Sequence, residues 1–124
     1  MIQLFMSRNG SSVIVPLRFP ASQSAIAEAS CHLDEASREG KARIVEIKSV
    51  IANLPSYLSG FDPDSRTQLA QLNRLASIIA QMDSRERNIY AGALDGNSIN
   101  DLNDMIRVAE QVSDYILIPN VNSD

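Results

Sequence analysis

The apolar residues of this 124-residue chain change their spacing once, near Asp64. Beyond that point they recur every three or four positions and keep that period to Val112. Leu69, Leu72, Leu75, Ala76, Ile79 and Met82 form one stripe. Ile99, Leu102, Met105, Ile106, Ala109 and Val112 form another. Stripes at this spacing predict amphipathic helices, each burying one face. Before Asp64, short β-branched runs surround a single helical stretch. The predicted fold class is therefore α+β: a small three-stranded sheet with one helix, followed by a three-helix bundle.

In the first half, residues 2–6 and 13–19 predict two strands around Asn9-Gly10, a hairpin signal whose tight turn needs positive φ at both positions. Pro16 has no N–H to give, so its strand is an edge or carries a bulge. Ser22 is the expected cap of a helix reaching about residue 37, with Ala25, Ile26, Ala29 and Leu33 inward and Gly40 as its stop. Residues 42–50 alternate, with Ile44, Glu46 and Lys48 on one side and Val45 and Ile47 on the other, and predict a third strand. Residues 53–64 hold Pro55, Gly60 and Pro63 and predict a linker. The expected division is a small α/β subdomain over residues 1–60 and a helical subdomain over residues 61–124.

In the second half, Asp64 or Ser65 is placed to cap the first helix. Glu86 stands three after Asp83, as in a capping box, and that short helix ends at Asp95-Gly96. Ser98 is the expected cap of the last helix, and residues 115–118 read as a short extended segment stopped by Pro119. Either half alone is small for a secure core. A shared core of Ile26, Leu33, Ile44, Ile47, Leu72, Ile79, Leu102 and Ile106 is expected.

Charge is unevenly placed. Residues 95–124 hold six acids against Arg107 alone, a net of −5, whereas residues 1–94 carry nine acids and ten bases. The formal net charge of −4 is thus made at one end. Fields of one sign attract the opposite sign and repel nucleic acid, so this end bears on partners. Asp95, Asp101, Asp104, Glu110 and Asp114 are the candidate partner-binding residues. The competing reading is a solvated helix face with Asp near a helix N-terminus, where the dipole favours it. Asp62, Asp64, Asp83 and Glu86 could extend the row, but capping accounts for them as well.

No catalytic or cofactor motif accompanies the acids. Cys31 and His32 are the only residues of their kinds. A zinc site needs about four ligands, and adjacent helical residues point about 100° apart. No metal site, cofactor or catalytic residue is expected. Gly-x-Ser-x-Gly, Gly-x-x-x-x-Gly-Lys and Gly-x-Gly-x-x-Gly do not occur. A single cysteine allows no internal disulfide, and no apolar run approaches the roughly 20 residues of a membrane span. Tyr90 and Tyr115 are expected half-buried, each with a wet hydroxyl.

Two stretches carry a family resemblance. One is Leu17-Arg18-Phe19-Pro20-Ala21-Ser22, which ends a strand and opens a helix. The other is Leu69-Ala70-Gln71-Leu72-Asn73-Arg74-Leu75-Ala76, with Ser98-Ile99-Asn100-Asp101-Leu102 and Asp114-Tyr115-Ile116-Leu117-Ile118-Pro119-Asn120-Val121 after it. In this order they resemble the ArdA antirestriction family of conjugative plasmids and transposons, over nearly the whole chain. The resemblance implies a cytoplasmic, non-catalytic DNA mimic whose carboxylates occupy the DNA groove of a type I restriction-modification enzyme. It implies a protein partner, no direct nucleic-acid or membrane binding, and a homodimer among the expected states. Against that resemblance, the sequence is shorter than three-segment members and less acidic, and most of the segment they use in dimerisation is expected to be missing from it; a fragment, a diverged member and a relative with another partner are the alternatives. The alternative is a protein-interaction module of a mobile genetic element without antirestriction activity. A continuous acidic stripe spaced like phosphates favours mimicry; scattered, paired carboxylates favour the alternative.

Overall fold

The computed structural model describes residues 1–36 and 40–117, without the side chains of residues 36 and 113–117. The chain is α+β. Its elements are β1 (Ile2–Arg8), β2 (Val15–Phe19), α1 (Gln23–Ala36), β3 (Ala42–Ser49), α2 (Leu54–Tyr57), α3 (Arg66–Ala80), α4 (Ser84–Gly96) and α5 (Leu102–Leu117). The sheet is antiparallel in the order β2-β1-β3. Pro16 therefore lies on an edge strand, opposite Phe5. The turn after β1 differs from a two-residue hairpin. Ser11 N–H donates to the Arg8 carbonyl at 3.0 Å, and only Gly10, with φ 88°, has positive φ. That is the pattern of a type II turn, with glycine third. The residues after it stay out of the ladder, so β2 begins at Val15, and Val13 and Ile14 are exposed.

The third strand corrects the simple alternation read from the sequence. Phe5 pairs with Glu46 but Met6 pairs with Ile44, so Val45 is an extra residue in β3. This bulge shifts the pleat by one. Ile44 and Ile47 both turn toward the core, while Val45, Glu46 and Lys48 are exposed. Without the bulge, Ile44 and Ile47 would lie on opposite faces.

Ser22 caps α1, its hydroxyl accepting from Ala25 N–H at 3.1 Å. The expected end of that helix at residue 37 lies outside the described residues. Gly40 has a packing role of its own. A Cβ there would sit 2.0 Å from the Asn9 carbonyl oxygen, so the chain entering β3 passes against the β1 turn. Residues 53–64 are not a bare linker either. They contain α2, and Leu54, Leu58 and Phe61 are buried in the core. A helical turn started at Pro55 places the two leucines on one side.

The helical half follows its local signals more closely. Ser65 caps α3 through Gln68 N–H, and Asp83 with Glu86 forms the full capping box of α4. The α3 stripe is buried from Leu69 to Met82. Two expectations for α5 fail. Asp101, not Ser98, is its cap, accepting from Asp104 N–H at 3.0 Å. Residues 115–117 continue the helix instead of extending, and Ile118 is outside the described residues. No fourth strand among the described residues offers that segment a ladder. Tyr90 is fully buried rather than wet, and its hydroxyl donates to the Met105 carbonyl at 3.0 Å, tying α4 to α5. Burial pushes its phenol pKa up. The side chain of Tyr115 is outside the described residues.

One cluster contains buried residues of β1, β2 and α1 to α5. Leu33, Leu72, Ile79, Leu102 and Ile106 are in it, and Ile26, Ile44 and Ile47 pack against it. Two polar devices fasten the halves. Asn73 of α3 accepts from Ala21 N–H at 2.7 Å and donates to the Ala21 carbonyl at 3.0 Å. The two stretches that carry the family resemblance thus touch each other at this amide. Arg8, with a side chain 11% exposed, donates to Asp34 of α1 at 2.6 Å, to both oxygens of Asp64 at 3.0 and 3.2 Å, and to the Gly40 carbonyl at 3.0 Å.

Candidate interaction surface

Asp95 lies at the end of α4. Its Oδ1 accepts from the Tyr57 hydroxyl at 2.6 Å and from Asn53 Nδ2 at 3.1 Å, while Asn53 Nδ2 also donates to the Ala91 carbonyl at 2.8 Å. The α2 turn thereby fixes the carboxylate. The Tyr57 bond, then the Asn53 bond, hold the Asp95 carboxyl below its ordinary value, and the same contact raises the Tyr57 phenol. Both donors are neutral, so the negative charge stays uncancelled while its position is set.

Asp101 and Asp104 each accept a backbone amide at the start of α5. Asp101 accepts from Asp104 N–H, and Asp104 Oδ2 accepts from Asn100 N–H at 2.9 Å. Orphan amides at a helix start require such acceptors. Asp104 Oδ1 also takes Arg107 at 3.1 Å, one turn on. Glu110 crosses to α3, where Arg74 meets it at 3.0 Å. Beside that bridge, Gln71 donates to Asn103 at 3.0 Å. Asp114 falls in the last turns of α5, and its side chain is outside the described residues.

The five candidates are therefore not equivalent. At about 100° per residue, Asp104 and Glu110 bound an outward arc of about 120°, with Arg107 midway along it. The α3 side chains close one flank of that arc. Asp95 and Asp101 are exposed and hydrogen-bonded only by neutral groups; Asp104 and Glu110 are each met by an arginine. What the surface presents is a corner of two uncompensated carboxylates joined to a mixed-charge helix face. At its foot lies an open cleft of about 460 Å³ between α2, the start of α3 and the start of α5, with Tyr57, Phe61, Gln68, Asn100 and Asp101 among its lining.

The wider row does not extend this corner. Asp83 and Glu86 are occupied with each other's backbone amides, and Asp62 accepts from Asp64 N–H. Asp64 serves Arg8 and Ala42 N–H. Burial raises its carboxyl pKa, but the Arg8 and Ala42 bonds and the charges of Arg8 and Lys41 outweigh it, and the net shift is downward. Cys31 and His32 are exposed on α1, with His32 between Glu28 at 3.7 Å and Glu35 at 3.8 Å. Among the described residues no helix is long and apolar enough to cross a membrane, and no group of three or more metal-ligating side chains converges.

Several residues that shape the corner carried no signal in the sequence. Asn53 and Tyr57 sit in the stretch read as a linker, and Arg74 is 36 residues from its partner. Only Arg107, three after Asp104, was legible as a local pair. Compared with protein-family models, with curated proteins and with solved structures, the chain matches none.

Proposed function

We propose that this chain is a non-catalytic binding protein that blocks a type I restriction-modification enzyme by standing in for DNA. The observation that carries the reading is the pair Asp95 and Asp101: exposed, fixed by neutral donors, and placed where the chain concentrates its negative charge. A cleft that neutralises phosphates with Arg and Lys also binds carboxylates held at suitable spacing, with release of counterions. The likeness of residues 17–22 and 69–76 to the ArdA family supports the choice of partner, and the Asn73–Ala21 bonds give those stretches a shared structural role.

A second reading has its own observation. Arg107 and Arg74 cancel Asp104 and Glu110, which favours an interaction module of a mobile element without antirestriction activity. The experiment that separates them is cleavage of unmodified DNA by a type I enzyme with increasing amounts of the protein. Under the first reading, cleavage falls at low salt and recovers as salt rises. Asp95→Asn with Asp101→Asn keeps both hydrogen-bond patterns and weakens inhibition about threefold to tenfold. Full cleavage at large excess of folded protein leaves the second reading.

A further inference from the structure

The outward face of the sheet has the opposite character to the acidic corner. Across the strands, Arg18 and Lys48 flank Gln3, Pro16 and Glu46 flank Phe5, and Arg43 stands opposite Ser7. Lys48 Nζ lies 5.4 Å from the Phe5 ring centroid, on the same side. The inward residues Ile2, Leu4, Val15, Leu17 and Phe19 are buried, whereas Pro16, Arg18, Arg43, Glu46 and Lys48 are exposed. Ser7 is buried and Gln3 and Phe5 are half-buried, so the open part of this face lies over its outer strands, where Glu46 is the one acid among three bases. Arg18, Arg43 and Lys48 form no ion pair among the described residues. Val45 and Val50, 43% and 46% exposed, add apolar surface beside the bases.

We infer that this basic sheet face docks the acidic corner of a second copy of the chain, setting Arg18, Lys48 and Arg43 of one copy against Asp95 and Asp101 of another. The argument is charge complementarity. Among the described residues each copy holds one set of bases and one of acids without an ion pair, and none joins the two sets. Complementary patches set register and suppress wrong partners. A nucleic-acid strand fits less well, because three bases with Glu46 among them make a short patch and not the continuous basic track a phosphate backbone calls for. The contact stands whether or not a restriction enzyme is the partner of the acidic corner, since it is tested with no enzyme present.

The test is sedimentation velocity of the full chain across a concentration series. Mass should rise above 13.6 kDa with concentration at low salt and return to it at about 0.5 M salt, where the Debye length falls to a few ångströms. Arg18→Glu with Lys48→Glu should weaken association about tenfold or more, and Asp95→Asn with Asp101→Asn should do the same. An equimolar mixture of the two variants should associate again, because each retains the patch the other lacks. Circular dichroism of both variants verifies folding. A wild-type chain that stays monomeric at low salt and high concentration overturns the proposal, as does association that the mixture does not restore. Binding of a labelled oligo-dT strand that Arg18→Glu with Lys48→Glu abolishes, without self-association, assigns the face to nucleic acid and also overturns it.

Discussion

The Arg8 clamp and the α4–α5 corner use the same chemistry to opposite ends. At the clamp, Asp34 and Asp64 are spent on one nearly buried guanidinium that joins β1, α1 and the approach to α3. At the corner, Asp95 and Asp101 accept from a phenol, an amide and a backbone N–H, and keep their charge facing solvent. The comparison teaches that a carboxylate's availability depends on whether its partner is charged. Counting acids along a chain overstates the field a partner meets.

Substitution should cost most at the clamp. Arg8→Met removes the cation and leaves Asp64, the Gly40 carbonyl and Asp34 without it. Because both carboxylates are partly exposed, the expected loss is about 2 kcal/mol, less than for a fully buried pair, read as a lower urea midpoint. Asn73→Ala comes next. It strips Ala21 of both backbone partners in a half-buried position, for an expected cost of about 1–2 kcal/mol by the same measurement. Tyr90→Phe should cost about 1 kcal/mol, since Met105 loses one donor but keeps its place in the helix. Asp101→Ala should cost about 0.5–1 kcal/mol through loss of the α5 cap, while Asp101→Asn should be near neutral.

The smallest effect sharpens the comparison by pH. Asp64 and Asp95 both have folded pKa values below the ordinary 3.8. Their contribution is present above the unfolded value and is lost as pH falls through the folded one. Stability should therefore decline below about pH 4. Asp64→Asn should flatten that decline more than Asp95→Asn, because only Asp64 is bound to a cation. Equal slopes in urea titrations from pH 6 to 2.5 would erase the distinction between the two regions.

What the sequence disclosed follows the range of the forces involved. The cap of α3, narrowed to Asp64 or Ser65, the capping box at Asp83 and Glu86, and the α3 stripe depend on residues within four positions of each other, and were legible to that extent. The bulge at Val45 depends on how Phe5 and Met6 meet β3, and nothing near Val45 announces it. Ser98 and Asp101 are both good caps by type. Asp101 wins because Asp104 stands at the right distance to return a bond to the preceding turn. The run Tyr115-Ile116-Leu117 has strand-forming residues, but a helix already nucleated at Asp101 propagates more easily than an unpaired strand forms. At the corner, Asp95 and Asp101 were identifiable as candidates. Their difference from Asp104 and Glu110 was not, because Tyr57, Asn53 and Arg74 reach them only through the fold.

Pro16 on β2 and the bulge at Val45 on β3 occupy the two open borders of a sheet only three strands wide. A free border offers a row of amides and carbonyls to any passing extended chain. Here one border carries a residue without a donor and the other has its spacing interrupted, so both are poor templates for another strand. Contacts on this sheet are therefore steered toward its side chains, which are specific, and away from its backbone, which is not.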